Sequence, residues 1–189
     1  MSKERIELRE FKIGVGVGVF DLGIASHQYF IRYNDQNEII GEVHGLATDP
    51  MNNTIKTVGT THDLLKVWKY PQPNQHSSIS SHIDGGLSGL YKTDQSFKVM
   101  VEGNESVVAR WEAALNATTA LAFRTITYNP LGGDIKDVNV GNSNSIARTL
   151  GDVMGFPTQN ISGRFVIGQE KNLITPKYLS RFISRMAKY

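Results

Sequence analysis

Residues 11–20 have the period of two that is typical of β-strands. Within this run valines alternate with glycines, which predicts one strand. Two further β-rich runs, residues 28–33 and 38–44, lie on either side of the turn-forming residues 34–37. This order of strand, polar turn and strand predicts a β-hairpin.

The length of the turn determines which residues of the hairpin face each other. If residues 34–37 form the loop, Tyr33 pairs with Glu38, and counting back in steps of two places His27 opposite His44. Side chains at paired positions have Cβ atoms about 5 Å apart. We therefore expect the two imidazole rings to lie side by side.

The second half of the chain changes to helical periodicity. Strands are expected at 96–101 and 123–128, and helices from Asn104 as N-cap, from about Asn144 to Met154, and at about 176–188. The last of these begins with Thr175 as N-cap and Pro176 at the first helical position. Its apolar face, Leu179, Phe182, Ile183 and Met186, is expected to pack on the core.

Chain length and element order indicate the architecture. A chain of 189 residues with 40% hydrophobic residues can bury one sizeable core, so residues 1–189 are interpreted as a single domain. Strands and a hairpin followed by helices favour an α+β fold with an antiparallel sheet packed against helices. Residues 71–90 are rich in Pro, Ser and Gly and predict a long loop.

Composition excludes several classes of site. The chain has no cysteine, so disulfides, thiolate catalysis and cysteine-ligated metals are excluded. The formal net charge is only +2, which makes nucleic acid an unlikely partner. We expect no cofactor and no metal, because the sequence shows no third ligand at a spacing from the two histidines that is typical of metal sites.

The N-terminal residues give an expectation about export. They mix charges before any apolar run and thus lack the pattern of a secretory signal. The most apolar stretch is also far shorter than the roughly 20 residues of a membrane-spanning helix. We therefore expect no transmembrane segment, and a protein that is cytoplasmic as made or exported by a non-Sec route.

One set of residues could carry hydrolytic chemistry. A hydrolase without cysteine or metal needs an activated hydroxyl, a base and a group that orients the base. Ser143, His27 and His44 fit these roles best, and Ser143 falls at a predicted helix start, where backbone N–H groups favour a developing oxyanion. The neighbouring polar residues are expected to contribute to binding, namely Asn142, Asn144 and Ser145.

The same residues also have structural interpretations. Asn and Ser are preferred N-cap residues, so the Asn-Ser-Asn-Ser segment at 142–145 needs no catalysis to explain it. Cross-strand histidines can be half-buried polar groups that each make one hydrogen bond. The sequence leaves both interpretations open.

Residues 26–33, Ser-His-Gln-Tyr-Phe-Ile-Arg-Tyr, are followed by a polar turn and then by Val43-His44. They resemble the paired-histidine hairpin of the circularly permuted papain-like hydrolases, the branch of the NlpC/P60 superfamily that includes lecithin:retinol acyltransferase-like proteins. In that family a later helix opens with Asn-Cys, two polar residues and an apolar pair. Residues 142–147, Asn-Ser-Asn-Ser-Ile-Ala, are similar in spacing, with Ser143 at the position of the nucleophilic cysteine.

The resemblance implies a papain-like core and a hydrolase of the amidase, peptidase or acyl-transfer type, with a peptide-like or acyl substrate. It implies that His27 is the base and His44 its orienting partner. It also suggests a bacterial or phage protein that serves as a secreted effector. Serine departs from the family pattern, because a hydroxyl is not ionised near neutral pH as a thiol is.

Two other functions remain open from the sequence. The first is a non-catalytic binding or effector protein that keeps the scaffold, has lost the nucleophile and contacts a protein partner. The second is a structural or assembly protein that uses the loop at 71–90 and the C-terminal helix. That helix is basic and amphipathic, with Lys177, Arg181, Arg185 and Lys188 on its polar side, and could meet an anionic membrane surface.

Overall fold

The structure, a computed structural model, describes residues 3–13, 16–17, 20–21, 25–56, 58–70, 90–156 and 159–186. Within these ranges the chain has an α+β fold, in which helices cover one face of a mixed sheet. The loop predicted at 71–90 lies outside the described residues, apart from its last residue.

The strands form one large sheet and one small hairpin. They are β1 (Arg5–Ile13), β2 (Gly16–Val17), β3 (Phe20–Asp21), β4 (Ala25–Tyr33), β5 (Ile39–Thr48), β6 (Ile55–Lys56), β7 (Leu64–Tyr70), β8 (Ser96–Glu102), β9 (Thr127–Tyr128) and β10 (Val140–Gly141). The large sheet has the order β10-β9-β7-β5-β4-β1-β8, with β6 beside β5, whereas β2 pairs with β3.

Two predictions about the strands need correction. The single strand predicted at 11–20 is wrong, because β1 ends at Ile13 and the next two short strands pair with each other. The sheet is also not wholly antiparallel, since β9 and β10 are parallel. The other described neighbours in the large sheet run antiparallel.

The helices are α1 (Asn104–Ala122), α2 (Ser143–Val153) and α3 (Pro176–Met186). Gly103, with φ 108°, is the N-cap of α1, so the prediction that Asn104 caps this helix is wrong. In contrast, α2 has Asn142 as its N-cap, and α3 starts at the predicted Pro176. In α3, Leu179 and Phe182 are partly buried against the core, whereas Ile183 is exposed, contrary to expectation.

The main core lies between the sheet and the helices. From Gly41 onward, residues of β5 with odd numbers point toward the helices: a Cβ at Gly41 would lie 2.7 Å from Trp111 of α1, and one at Gly45 would lie 2.5 Å from Cγ1 of Ile146 in α2. These glycines let the helices approach the strand closely. Side chains alternate along a strand, so residues of β5 with even numbers point to the other face.

That other face is also buried, but it carries ionisable and aromatic side chains. They come from three adjacent strands and include Glu7 and Arg9 of β1, His27, Tyr29 and Tyr33 of β4, and Glu42 and His44 of β5. Buried charged groups are stable only when they are paired or hydrogen-bonded. The helix-covered face is thus mainly apolar, whereas the other face, called the polar face below, combines ionisable side chains with buried apolar ones such as Ile31 and Leu46.

The hairpin of β4 and β5 is as predicted, but its register differs. Tyr33 pairs with Ile39 and Arg32 pairs with Gly41, so Ile40 is an extra residue in β5, a β-bulge. Continuing this register places His44 opposite Tyr29 and diagonal to His27, not opposite His27. The shift is two residues, which keeps both histidines on the same face.

Candidate functional site

The two histidines form a hydrogen-bonded chain with a carboxylate on the polar face of the sheet. Nε2 of His27 lies 3.0 Å from Nδ1 of His44, and Nε2 of His44 donates to Oε1 of Glu42. The ring of Tyr29 stacks on His44 with 4.1 Å between ring centroids. All four side chains are buried.

This environment determines the charge of His27. Burial, together with the neighbouring His44, holds the pKa of His27 well below its ordinary value, although Glu42 acts in the opposite direction. His27 is therefore neutral at neutral pH. A neutral imidazole that is oriented by a second ring and a carboxylate has the arrangement of a general base.

Ser143 is buried at the start of α2, on the helix-covered side of the sheet. Its hydroxyl lies close to the phenol of Tyr128; burial raises the pKa of this phenol, and the nearby serine hydroxyl acts in the opposite direction. The carbonyl oxygen of Ser143 would lie 3.1 Å from a Cβ atom at Gly45, so the residue sits on the side toward which Gly45 points. Because His44 is adjacent to Gly45 in β5, its side chain points the other way.

The described contacts therefore bring His27 and His44 together and place Ser143 with Tyr128. The same separation holds on β4, where Phe30 packs in the helix-covered core while His27 and Tyr29 lie in the polar layer. A serine nucleophile needs its base within about 3.2 Å of the hydroxyl oxygen. The backbone of Ser143 faces Gly45 on the helix-covered side of β5, whereas the rings of His27 and His44 stack on each other.

Asn142 and Ser145 close the start of α2. The side chain of Asn142 accepts a hydrogen bond from the backbone of Ser145 at 3.1 Å, and the hydroxyl of Ser145 accepts one from the backbone of Asn142 at 3.3 Å. This is a capping box. Nδ2 of Asn142 also donates to the carbonyl of Ile167 at 2.9 Å, which ties the 160–171 segment to the helix.

Asn144 joins α2 to the strand that carries His27. Its Nδ2 donates to the carbonyl of Ser26, and its Oδ1 accepts from the backbone N–H of Gln28, both at 2.8 Å. The side chain thus takes the place of a neighbouring strand on either side of His27. The bonds described for Asn142, Asn144 and Ser145 satisfy the backbone of this chain itself.

A groove with both polar and apolar walls lies beside this helix start. It has a volume of about 470 Å³ and runs between residues 131–135 and residues 160–171. Three large apolar side chains at the groove are exposed, namely Leu131 (74%), Ile135 (56%) and Phe165 (71%). Its wall at Gly168 touches Asn142, since a Cβ there would overlap the Asn142 side chain.

Two buried charged side chains, Lys171 and Glu10, hold the segments that form the groove. The ammonium of Lys171 donates to the carbonyls of Gly132, at 3.0 Å, and Asp134, and burial lowers its pKa. On the other side, the carboxylate of Glu10 accepts from Ser162 and from the backbone of Ile161 at 3.0 Å. Burial opposes ionisation of Glu10, but these hydrogen bonds outweigh it and lower its pKa.

Sequence reasoning missed Glu42 and the groove. Glu42 could have been found, because residues two apart in a strand share a face and Glu42 precedes His44 by two. The groove residues Leu131, Ile135 and Phe165 lie in irregular segments, whose sequence carries no periodic signal. Among the described residues no cluster of three or more metal-ligating side chains occurs, and no helix is long and apolar enough to cross a membrane.

Comparison of the chain with protein-family models, curated proteins and solved structures finds no match. The resemblance to permuted papain-like hydrolases therefore rests on the residues of the hairpin and of the α2 start alone.

Proposed function

We propose that this chain is a non-catalytic binding protein on a permuted papain-like scaffold, and that its groove receives an apolar side chain of a polypeptide partner. The observation that supports the proposal is the position of Ser143, whose backbone faces Gly45 on the helix-covered side of β5, while the rings of His27 and His44 contact each other. The internal hydrogen bonds of Asn142, Asn144 and Ser145 at this helix start support a role in binding rather than in reaction.

The groove supplies the binding surface. Exposed apolar side chains that cluster at a depression are typical of interaction sites, whereas scattered ones need no explanation. A volume of about 470 Å³ lies within the range of ordinary ligand pockets, roughly 300 to 1,000 Å³. Lys171 and Asn142 are already bonded to this chain's own oxygens, and the exposed side chains of Leu131, Ile135 and Phe165 offer a partner an apolar contact.

Small mimics of side chains test this proposal by NMR. Titration of the 15N-labelled protein with N-acetyl-leucinamide should shift the amide resonances of residues 131–135 and 165–168. N-acetyl-serinamide, which has the same backbone, should leave them in place. The double variant Leu131→Ser/Phe165→Ser should lose the shifts because it removes two of the three exposed apolar side chains.

Phe123→Ser is the matched control for that double variant. Phe123 is even more exposed, at 88%, but does not line the groove, so this variant should keep the wild-type shifts. Shifts that are scattered over the molecule, or equal for the leucine and serine compounds, would contradict a specific apolar site.

A hydrolase is the second candidate, and the chain of Glu42, His44 and His27 is the observation that favours it. Such a chain orients a base and holds it neutral, as acyl-transfer chemistry requires. In this case the nucleophile must reach His27, either through a rearrangement that moves Ser143 or as a water molecule on the polar face. The α2 start is consistent with it, since Asn144 holds the helix against the His27 strand.

A further inference from the structure

The surface formed by α3 and the end of α1 has properties that the proposed binding function does not use. α3 is attached through Leu179 and Phe182, which are only partly buried against the core. Tyr178 and Ile183 are 55% and 42% exposed on the same helix. The helix thus keeps large apolar side chains in contact with solvent.

Cations accompany these apolar side chains. Lys177 and Arg181 are exposed one turn apart on α3, and the guanidinium of Arg181 lies 5.1 Å from the ring centroid of Tyr178. In the sequence, Arg185 continues this spacing, and no Asp or Glu occurs in residues 171–189. Among the described residues, Lys177 and Arg181 form no ion pair with a carboxylate.

A second groove, of about 400 Å³, lies between the end of α1 and α3. Leu121, Ile174 and Phe182 line it together with Arg124. Arg124 is held by neutral oxygens, the carbonyls of Leu173 and Val138 and Oδ1 of Asn139, while Asp137 is the acidic group that acts on it through space. Phe123, which precedes Arg124 in the sequence, is 88% exposed.

We propose that this surface of α3 and the end of α1 binds the anionic face of a lipid bilayer. Exposed apolar side chains next to Lys and Arg, with no acidic side chain on the helix, match a membrane interface in both polarity and charge. The groove beside Arg124 is mainly apolar and can take hydrocarbon. The basic residues meet the lipid headgroups, and Tyr178 and Ile183 enter the boundary between headgroups and acyl chains.

Vesicle co-sedimentation tests the proposal. The full chain should sediment with phosphatidylcholine vesicles that contain about one-fifth phosphatidylserine, but not with pure phosphatidylcholine, and added salt should weaken binding. Each cation near such a surface contributes about a fivefold factor to binding. Lys177→Gln/Arg181→Gln should therefore reduce the partition coefficient roughly 25-fold, and Tyr178→Ser/Ile183→Ser should also reduce it.

Lys69→Gln/Lys98→Gln is the matched control, because it removes two exposed cations from β7 and β8 and leaves α3 intact. This variant should sediment like the wild type. Equal sedimentation of Lys177→Gln/Arg181→Gln and this control would overturn the proposal. Failure of the wild type to bind phosphatidylserine vesicles while it binds soluble polyglutamate would assign the surface to an acidic protein partner instead.

Discussion

At the scale of single residues, buried His27 should make the stability of the fold depend on pH. Its imidazole is buried against His44, Tyr29 and Phe11, so a proton on it would be poorly solvated. The lowered pKa of His27 means that the folded protein binds this proton less well than the unfolded chain does. Folding is therefore coupled to deprotonation of one histidine.

This coupling predicts a pH dependence of stability. Below the ordinary histidine pKa of about 6.5, His27 takes up a proton in the unfolded chain but not in the folded protein. The free energy of unfolding should therefore fall by up to about 1.4 kcal/mol for each pH unit by which the pH is lowered. Above that pH the contribution is constant. Urea unfolding of the wild type and of His27→Gln between pH 5 and 8 measures the difference, because glutamine does not titrate.

His62→Gln is the control for this measurement, since His62 is exposed and should leave the wild-type slope unchanged. If His27→Gln and the wild type lose stability in parallel as the pH falls, protonation of His27 does not contribute to the loss. This result would contradict the lowered pKa of His27 in the folded protein.

At the scale of elements, the contact between β5 and α2 fixes which way the histidines point. Gly45 accepts the side chain of Ile146, and this close approach sets the helix on one face and His44 on the other. An added methyl group at residue 45 would lie within 2.6 Å of both Cβ and Cγ1 of Ile146. The strand and the helix would then have to separate.

Gly45→Ala should thus lower the free energy of unfolding by about 1 to 3 kcal/mol, the cost of overpacking a core. Ile146→Ala creates a cavity and should cost about 2 to 5 kcal/mol alone. In the double variant the new methyl group fills part of that cavity, so the combined cost should be smaller than the sum. Urea unfolding of all four proteins gives this coupling, and strictly additive costs would show that β5 and α2 do not meet at this point.

For the whole molecule, sequence patterns predict elements better than they predict relationships between elements. The hairpin, the strand at β8 and the start of α2 follow from local periodicity, turn residues and a capping box, which depend on few neighbours. The sequence pattern does not predict β7, Leu-Leu-Lys-Val-Trp-Lys-Tyr, because this strand is stabilised mainly by pairing with the distant β5.

The geometry of the candidate site, too, can be predicted from the sequence only in part. The proximity of His27 and His44 follows from the hairpin, although the bulge at Ile40 shifts their register in a way that no local signal reveals. The face of the sheet on which Ser143 lies depends on where α2 packs. That position is set by long-range contacts such as Gly45 with Ile146, which a sequence pattern does not contain.

The separation of Ser143 from the histidines is the central claim, and one introduced thiol measures it most directly. The chain has no cysteine, so Ser143→Cys carries a single thiol whose alkylation by iodoacetamide can be followed without background. A thiol paired with an imidazole has a pKa far below the free value of about 8.5 and reacts rapidly near pH 6. Ser106→Cys, at an exposed position in the first turn of α1, is the control for a helix start without a histidine.

We predict that Ser143→Cys reacts more slowly than Ser106→Cys at pH 6, because residue 143 is buried beside Tyr128. Its pH profile should be the same with and without His27→Gln, provided that both variants melt as folded proteins. Rapid alkylation at pH 6 that disappears when His27 is replaced would contradict the account, since it would place the nucleophile position and the base on the same side of the sheet.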